Sequence, residues 1–198
     1  MRERAVRRSL RRAGIRDRRP GGGTCLSESV LIWRHGPGTR EVYDQDGRLV
    51  ATGCTSEGRG WPEIFGICHP IAYFTPEGHA LLTVSPDRRR NPTRFLVTGG
   101  GIPGIGSVSK NLSIDVSGQP IGRLERPWLP RMLRFRGPDF TLYDARDSEI
   151  GWINRRKSIP SWTVIEVVPE VTLMLRSLLF GVEAVVNAPR TAVAGPGP

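Results

Sequence analysis

Cysteine is scarce in this chain. Cys25, Cys54 and Cys68 are the only three, an odd number with no close pair, which argues against a disulfide framework and against the paired spacing of a structural zinc site. Long apolar runs are scarcer still: only residues 171–186 exceed strand length. The N-terminus lacks the continuous apolar core of an export signal and is rich in arginine instead, so a reducing, cytoplasmic setting is expected. Catalytic arrangements are also missing. Cys68 and His69 are adjacent, and neighbouring residues of an extended chain point to opposite faces, which does not suit a nucleophile and its base. The expectation is a protein that is not an enzyme and uses no cofactor or metal.

Two motifs look chemical and read better as connections. Residues 99–107 satisfy G-x-G-x-x-G after a strand, but a phosphate loop must open a helix whose amide dipoles face the phosphates. Here Pro103 and then a strand at 111–116 follow, with no Lys-Ser pair, so the segment is expected to be a crossover loop between hairpins. Asp44-Gln45-Asp46-Gly47 begins like a calcium loop, yet the later ligands are missing and Arg48 would repel the ion. It is expected to be a hairpin turn.

What the chain does contain is a recurring unit: an apolar strand, a tight turn with Gly or Asp, and a second apolar strand. It appears at 43–50, 114–122 and 143–151, and more loosely at 73–81. Strands are predicted at 29–33, 40–43, 49–51, 71–74, 80–84, 95–98, 111–116, 120–124, 132–135, 140–143, 149–153 and 161–168. A dozen short antiparallel strands leave edges and an apolar face exposed unless they close or are covered. The cover is the run at 171–186. It is apolar on nearly every side, as a buried helix is, and Pro169 and Pro189 bracket it. Spanning a bilayer takes roughly 20 residues, and Arg176 and Glu183 interrupt the run, so burial inside the protein fits better than insertion. The fold class expected is mainly β: a closed barrel of about twelve strands around one C-terminal helix at about 170–187.

Three regions follow: an arm at 1–23, the barrel with its helix at 24–188, and a Pro/Gly tail at 189–198. The net charge is +10, but residues 1–20 hold nine Arg against Glu3 and Asp17, so most of the excess lies in the arm. Its few apolar side chains leave it disordered by expectation. Arg7, Arg8, Arg11, Arg12, Arg18 and Arg19 make it a candidate electrostatic tether. A solvated tail, or a start codon upstream of the true one, are the competing readings.

The hairpins of form apolar-Asp-x-x-Gly, the final Trp162-Thr163-Val164 strand and the apolar helix after it resemble the LURP-one-related and phospholipid scramblase group. The segment 121–127 with Arg126-Pro127, then 132–135, 137–139 and 149–153, is similar to the scramblase stretch around its Arg-Pro turn. The resemblance covers about 25–188 and implies the tubby-like fold, a barrel closed around a C-terminal helix. Two departures stand out. Scramblases carry a lipid-modified Cys-rich stretch after Arg-Pro where this chain has Trp128-Leu129-Pro130, and an acidic pre-helix segment that is reduced here to Glu166 and Glu170.

The surface site expected is Trp128 ringed by Arg126, Arg131, Arg134 and Arg136 and extended by Arg155, Arg156 and Lys157, an apolar tip among cations suited to an anionic lipid interface. A Trp that caps the barrel among solvated arginines is the plainer reading. Arg88-Arg89-Arg90 is expected to be an exposed turn able to meet phosphate. The function expected is peripheral association with anionic membrane lipids or headgroups. Scramblase-like insertion of the terminal helix is one alternative, and nucleic-acid binding through the arm is another.

Overall fold

The computed structural model describes residues 25–36, 39–55, 68–102, 104–126, 138–156 and 161–188, without the side chains of Cys25 and Arg156. A single 3-10 turn (Cys25–Ser27) leads into β1 (Val30–Gly36), β2 (Thr39–Tyr43), β3 (Leu49–Thr55), β4 (Ile71–Phe74), β5 (Ala80–Pro86) and β6 (Arg94–Gly99). There follow β7 (Gly106–Ser109), β8 (Ser113–Val116), β9 (Gln119–Glu125), β10 (Phe140–Asp144), β11 (Glu149–Arg156), β12 (Ser161–Val167) and the helix α1 (Leu173–Asn187). Every strand pairs antiparallel with its chain neighbours, and β1 pairs with β12, so the sheet closes as an up-and-down barrel. Closure removes the free edges that a meander would otherwise expose.

The recurring hairpin unit has a local cause. At Asp44, Thr75 and Asp144 the backbone N–H bonds the carbonyl four residues on, and its own carbonyl accepts the N–H three residues on, at 2.9–3.2 Å. The residue in that last place has positive φ: Gly47 at 80°, Gly78 at 90° and Asp147 at 62°. Each turn is preceded by a one-residue register shift, the pairing of a three-residue hairpin loop with a bulge. The leading side chain locks the turn from within. Asp44 Oδ1 accepts the N–H groups of Asp46 and Arg48 at 2.9 and 2.8 Å, and Asp144 Oδ1 those of Arg146 and Ser148 at 2.8 and 2.9 Å. The carboxylate that began a calcium-like motif at Asp44 is thus spent on backbone. The remaining copy differs, since Ser117 and Gly118 both have positive φ between paired Val116 and Gln119, as a two-residue primed turn requires.

The Gly-rich segment corrects an expectation. It joins hydrogen-bonded neighbours β6 and β7 and is no crossover, and β7 begins within it at Gly106. Glycine is needed there for close approach: a Cβ on Gly106 would meet Leu178 Cδ2 at 2.3 Å, and one on Gly181 of the helix would meet Val97 Cγ2 at 2.7 Å. The small residues let α1 lie against β6 and β7. The strand expected at 132–135 lies outside the described residues.

The helix runs inside the barrel, with every residue from Leu175 to Val186 buried. Phe180 is its centre, meeting the rings of Trp33 at 5.2 Å and Tyr73 at 4.7 Å, both edge to face. It starts later than Pro169 suggested. Thr172 is the N-cap, its hydroxyl accepting the Leu175 N–H at 3.4 Å, and Pro169 stands in the preceding connection. Arg176 is buried, and its guanidinium donates to the carbonyls of Val171 (2.9 Å), Pro169 (2.7 Å), Ser27 (3.2 Å), Val168 (3.3 Å) and Glu28. One side chain therefore ties the segment before β1 to the segment after β12. Outside the same seam, Val30, Ile32 and Tyr43 pack with Trp162 and Val164, and Arg34 lies over Trp162 while bonding Glu41 at 3.0 Å. No described helix is long and apolar enough to cross a membrane.

A candidate anion-binding end of the barrel

The meander sorts the connections by end. Odd strands β1 to β11 finish, and even strands begin, at one rim; the connections there are 37–38, 56–70, 87–93, 110–112, 126–139 and 157–160. This is the loop end. The opposite rim, the turn end, holds the tight turns at 44–48, 75–79, 117–118 and 144–148, the loop at 100–105, and the entry of α1. The helix C-terminus reaches the loop end, where Arg155 Nη1 donates to the Val186 carbonyl.

Charge is sorted in the same way. The turn end carries Asp44, Asp46, Glu77, Asp144, Asp147 and Glu149 against Arg48 and Arg146. Among the described residues, the loop end carries Arg88, Arg89, Arg90, Arg94, Lys110 and Arg126, all exposed, against exposed Asp87 and Glu125 and buried Asp139. At the turn end Asp44 and Asp144 belong to the turns themselves, each accepting two of its turn's N–H groups.

Of the residues expected to form the lipid-facing site, Arg126 and Arg155 are brought together. Their guanidiniums lie 5.2 and 5.1 Å from the Phe140 ring centroid. Arg126 is exposed at the end of β9. Arg155 is half-buried on β11, its N–H donating to Asp139 Oδ2 at 2.7 Å and its Nε lying 3.8 Å from the same oxygen. Arg156 ends β11. Trp128, Arg131, Arg134, Arg136 and Lys157 lie outside the described residues, as do Arg7, Arg8, Arg11, Arg12, Arg18 and Arg19. Cys54 is exposed and Cys68 buried.

The turn holding Arg88-Arg89-Arg90 is pinned. Asp87 Oδ1 accepts the Thr93 N–H at 3.0 Å, its Oδ2 accepts the Thr93 hydroxyl, and Arg88 Nε donates to the Asn91 carbonyl at 2.9 Å. Burial acts to raise the Asp87 pKa, but hydrogen bonds from Thr93 and from backbone N–H groups outweigh it and hold the carboxyl below its usual range. Asn91 takes positive φ (50°), which its short amide side chain tolerates. The Lys110 N–H donates to the Thr93 carbonyl at 2.8 Å, fastening the β7–β8 turn to this one.

Beneath the loop end sits a polar cluster that sequence reasoning missed. Glu183 is fully buried, with Oε2 2.5 Å from Arg40 Nη1 and Oε1 3.2 Å from His35 Nε2, and it accepts from Asn187 Nδ2 at 2.9 Å. Thr163 Oγ1, also buried, accepts from Asn187 at 2.9 Å and lies 3.3 Å from His35 Nε2. Burial pushes the Tyr73 phenol up, and the Glu183 charge adds to it. The signal available was the acid within the apolar run; nothing in the sequence pointed to its partners on β1 and β2. The cluster closes the barrel interior with paired charges, which a buried carboxylate requires.

A scan against models of known protein families finds no match, and neither does a search of curated proteins. Among solved structures, the X-ray structure of the Arabidopsis thaliana protein AT5G01750 is similar, with a TM-score of 0.53 over 84% of this chain and 99% of that one, at 16% identity. At that identity the likeness concerns the fold alone, and what the two chains share is the twelve-strand barrel.

Proposed function

We propose that this barrel is a non-enzymatic module of the LURP-one-related and scramblase group, with the tubby-like fold, that associates peripherally with anionic membrane lipids or their headgroups. One observation carries the reading: the cations gather at the loop end while the acids gather at the turn end. A molecule polarised in this way is steered to a negative surface with one end leading. In the sequence alone, 127–137 holds Arg131, Arg134 and Arg136 with no acid and Lys157 follows Arg156, while 56–67 holds Arg59 against Glu57 and Glu63. The Arg-rich arm acts as a second, nonspecific tether. Each Lys or Arg near an anionic surface contributes about 1 kcal/mol, so several together hold the protein at modest ionic strength.

Cosedimentation of the full chain, and of a chain lacking residues 1–22, with anionic and neutral vesicles tests this. Binding to anionic vesicles only, reversed by salt and weakened by the truncation, is expected. Carbonate-resistant insertion would favour the scramblase-like alternative. Binding to DNA with no vesicle binding would favour the nucleic-acid reading.

A further inference from the structure

Five exposed cations stand on two adjoining turns of the loop end: Arg88, Arg89 and Arg90 on the β5–β6 turn, Arg94 at the start of β6, and Lys110 on the β7–β8 turn. The turns are neighbours because β6 pairs with both β5 and β7, with Arg94 opposite Ser109. They are also stiff. The bonds from Asp87 to Thr93, from Arg88 to Asn91 and from Lys110 to Thr93 fix the backbone that carries the charges, and the Cys68 N–H holds the Arg89 carbonyl at 2.8 Å. Asp87 is the only acid in the two turns, and its oxygens face Thr93.

Like charges on a fixed scaffold repel. A compact multivalent anion removes the repulsion at small ordering cost, since the frame is already set. Arginine adds geometry, because its planar fork matches a phosphate's oxygens.

We propose that these two turns form a phosphate site selective for phosphomonoester groups, whose charge is concentrated on one phosphorus, over phosphodiester or carboxylate groups spread at the same surface charge density. This rests on the membrane reading above and locates its specific contact away from the Trp128 segment. The ligand chemistry has two sources, a phosphomonoester lipid headgroup and a free polyphosphate.

The test uses the full chain, Arg88→Gln/Arg90→Gln and, from the turn end, Arg48→Gln/Arg146→Gln as the control. Each is measured on phosphatidic acid vesicles and on phosphatidylserine vesicles of matched surface charge, and by thermal unfolding with tripolyphosphate. The parent is expected to bind phosphatidic acid more tightly, and the loop-end variant to weaken on both vesicles but by roughly tenfold more on phosphatidic acid, so that the parent's preference is lost. The turn-end variant should match the parent. Tripolyphosphate should raise the unfolding temperature of the parent and of the control, and not of the loop-end variant. A rise without phosphatidic acid preference assigns the site to a soluble phosphate. Equal binding to both vesicles with no rise overturns the site but leaves membrane association standing; loss of all vesicle binding with the rise retained overturns membrane association and leaves the site.

Discussion

Single residues at the hairpin turns set the conformation that the barrel repeats. Gly78 has φ of 90° and nothing within 4 Å of where a Cβ would stand, so Gly78→Ala isolates the conformational cost from any clash. That cost is about 1 kcal/mol, read as a lower urea midpoint with the slope unchanged. Glu28 offers a test of sign. Burial raises its pKa, Asp44 and Asp46 raise it further, and Arg176 and Arg48 only partly oppose them. An acid that is harder to ionise in the folded state penalises folding above its unfolded pKa, and the penalty disappears once both states are protonated. Glu28→Gln is therefore expected to raise stability at neutral pH, with the gain shrinking as pH falls through the carboxylate range. A gain that persisted at acid pH would assign it to something other than charge. These turns were legible because Asp and Gly recur at spacings that hydrogen bonding dictates. The third copy looked alike in sequence yet folds as a shorter turn, since Ser117 gave no sign that it would take positive φ.

At the scale of elements, the strands were readable wherever apolar residues alternate, and β7 was not. Gly106-Ser107-Val108-Ser109 offers one large apolar side chain, and its glycine serves the helix that packs on it, a relation between distant segments that no local pattern reports. The helix was legible from length and composition alone. Its charged residues read only as an obstacle to lipid, because their partners are remote in sequence. Arg176 shows how far their role extends: its forked donors hold the entry to β1 and the exit from β12 together at the turn end of the strand pair that closes the barrel. Lysine carries the charge without the fork, so Arg176→Lys is expected to cost about 2 to 3 kcal/mol in urea unfolding. A cost under half of that would show the clamp to be redundant with the apolar packing outside the seam.

For the whole molecule, the meander turns a local rule into a global polarity. Two of the tight turns at one rim are built on Asp44 and Asp144, and the described turns at the other rim carry Arg88, Arg89, Arg90 and Lys110. The sequence disclosed the cations but not that Arg88 and Lys110 share a rim with Arg126, because that grouping exists only once twelve strands have closed. An orientation follows from it, and it can be measured directly. A single environment-sensitive fluorophore is attached at Asn111→Cys in the loop end or at Ala145→Cys in the turn end, both exposed, with Cys25 and Cys54 replaced by serine. On anionic vesicles the Asn111 position is expected to shift to the blue and the Ala145 position to stay as in buffer. A blue shift at Ala145, or none at either position while the protein sediments with the vesicles, would contradict the account.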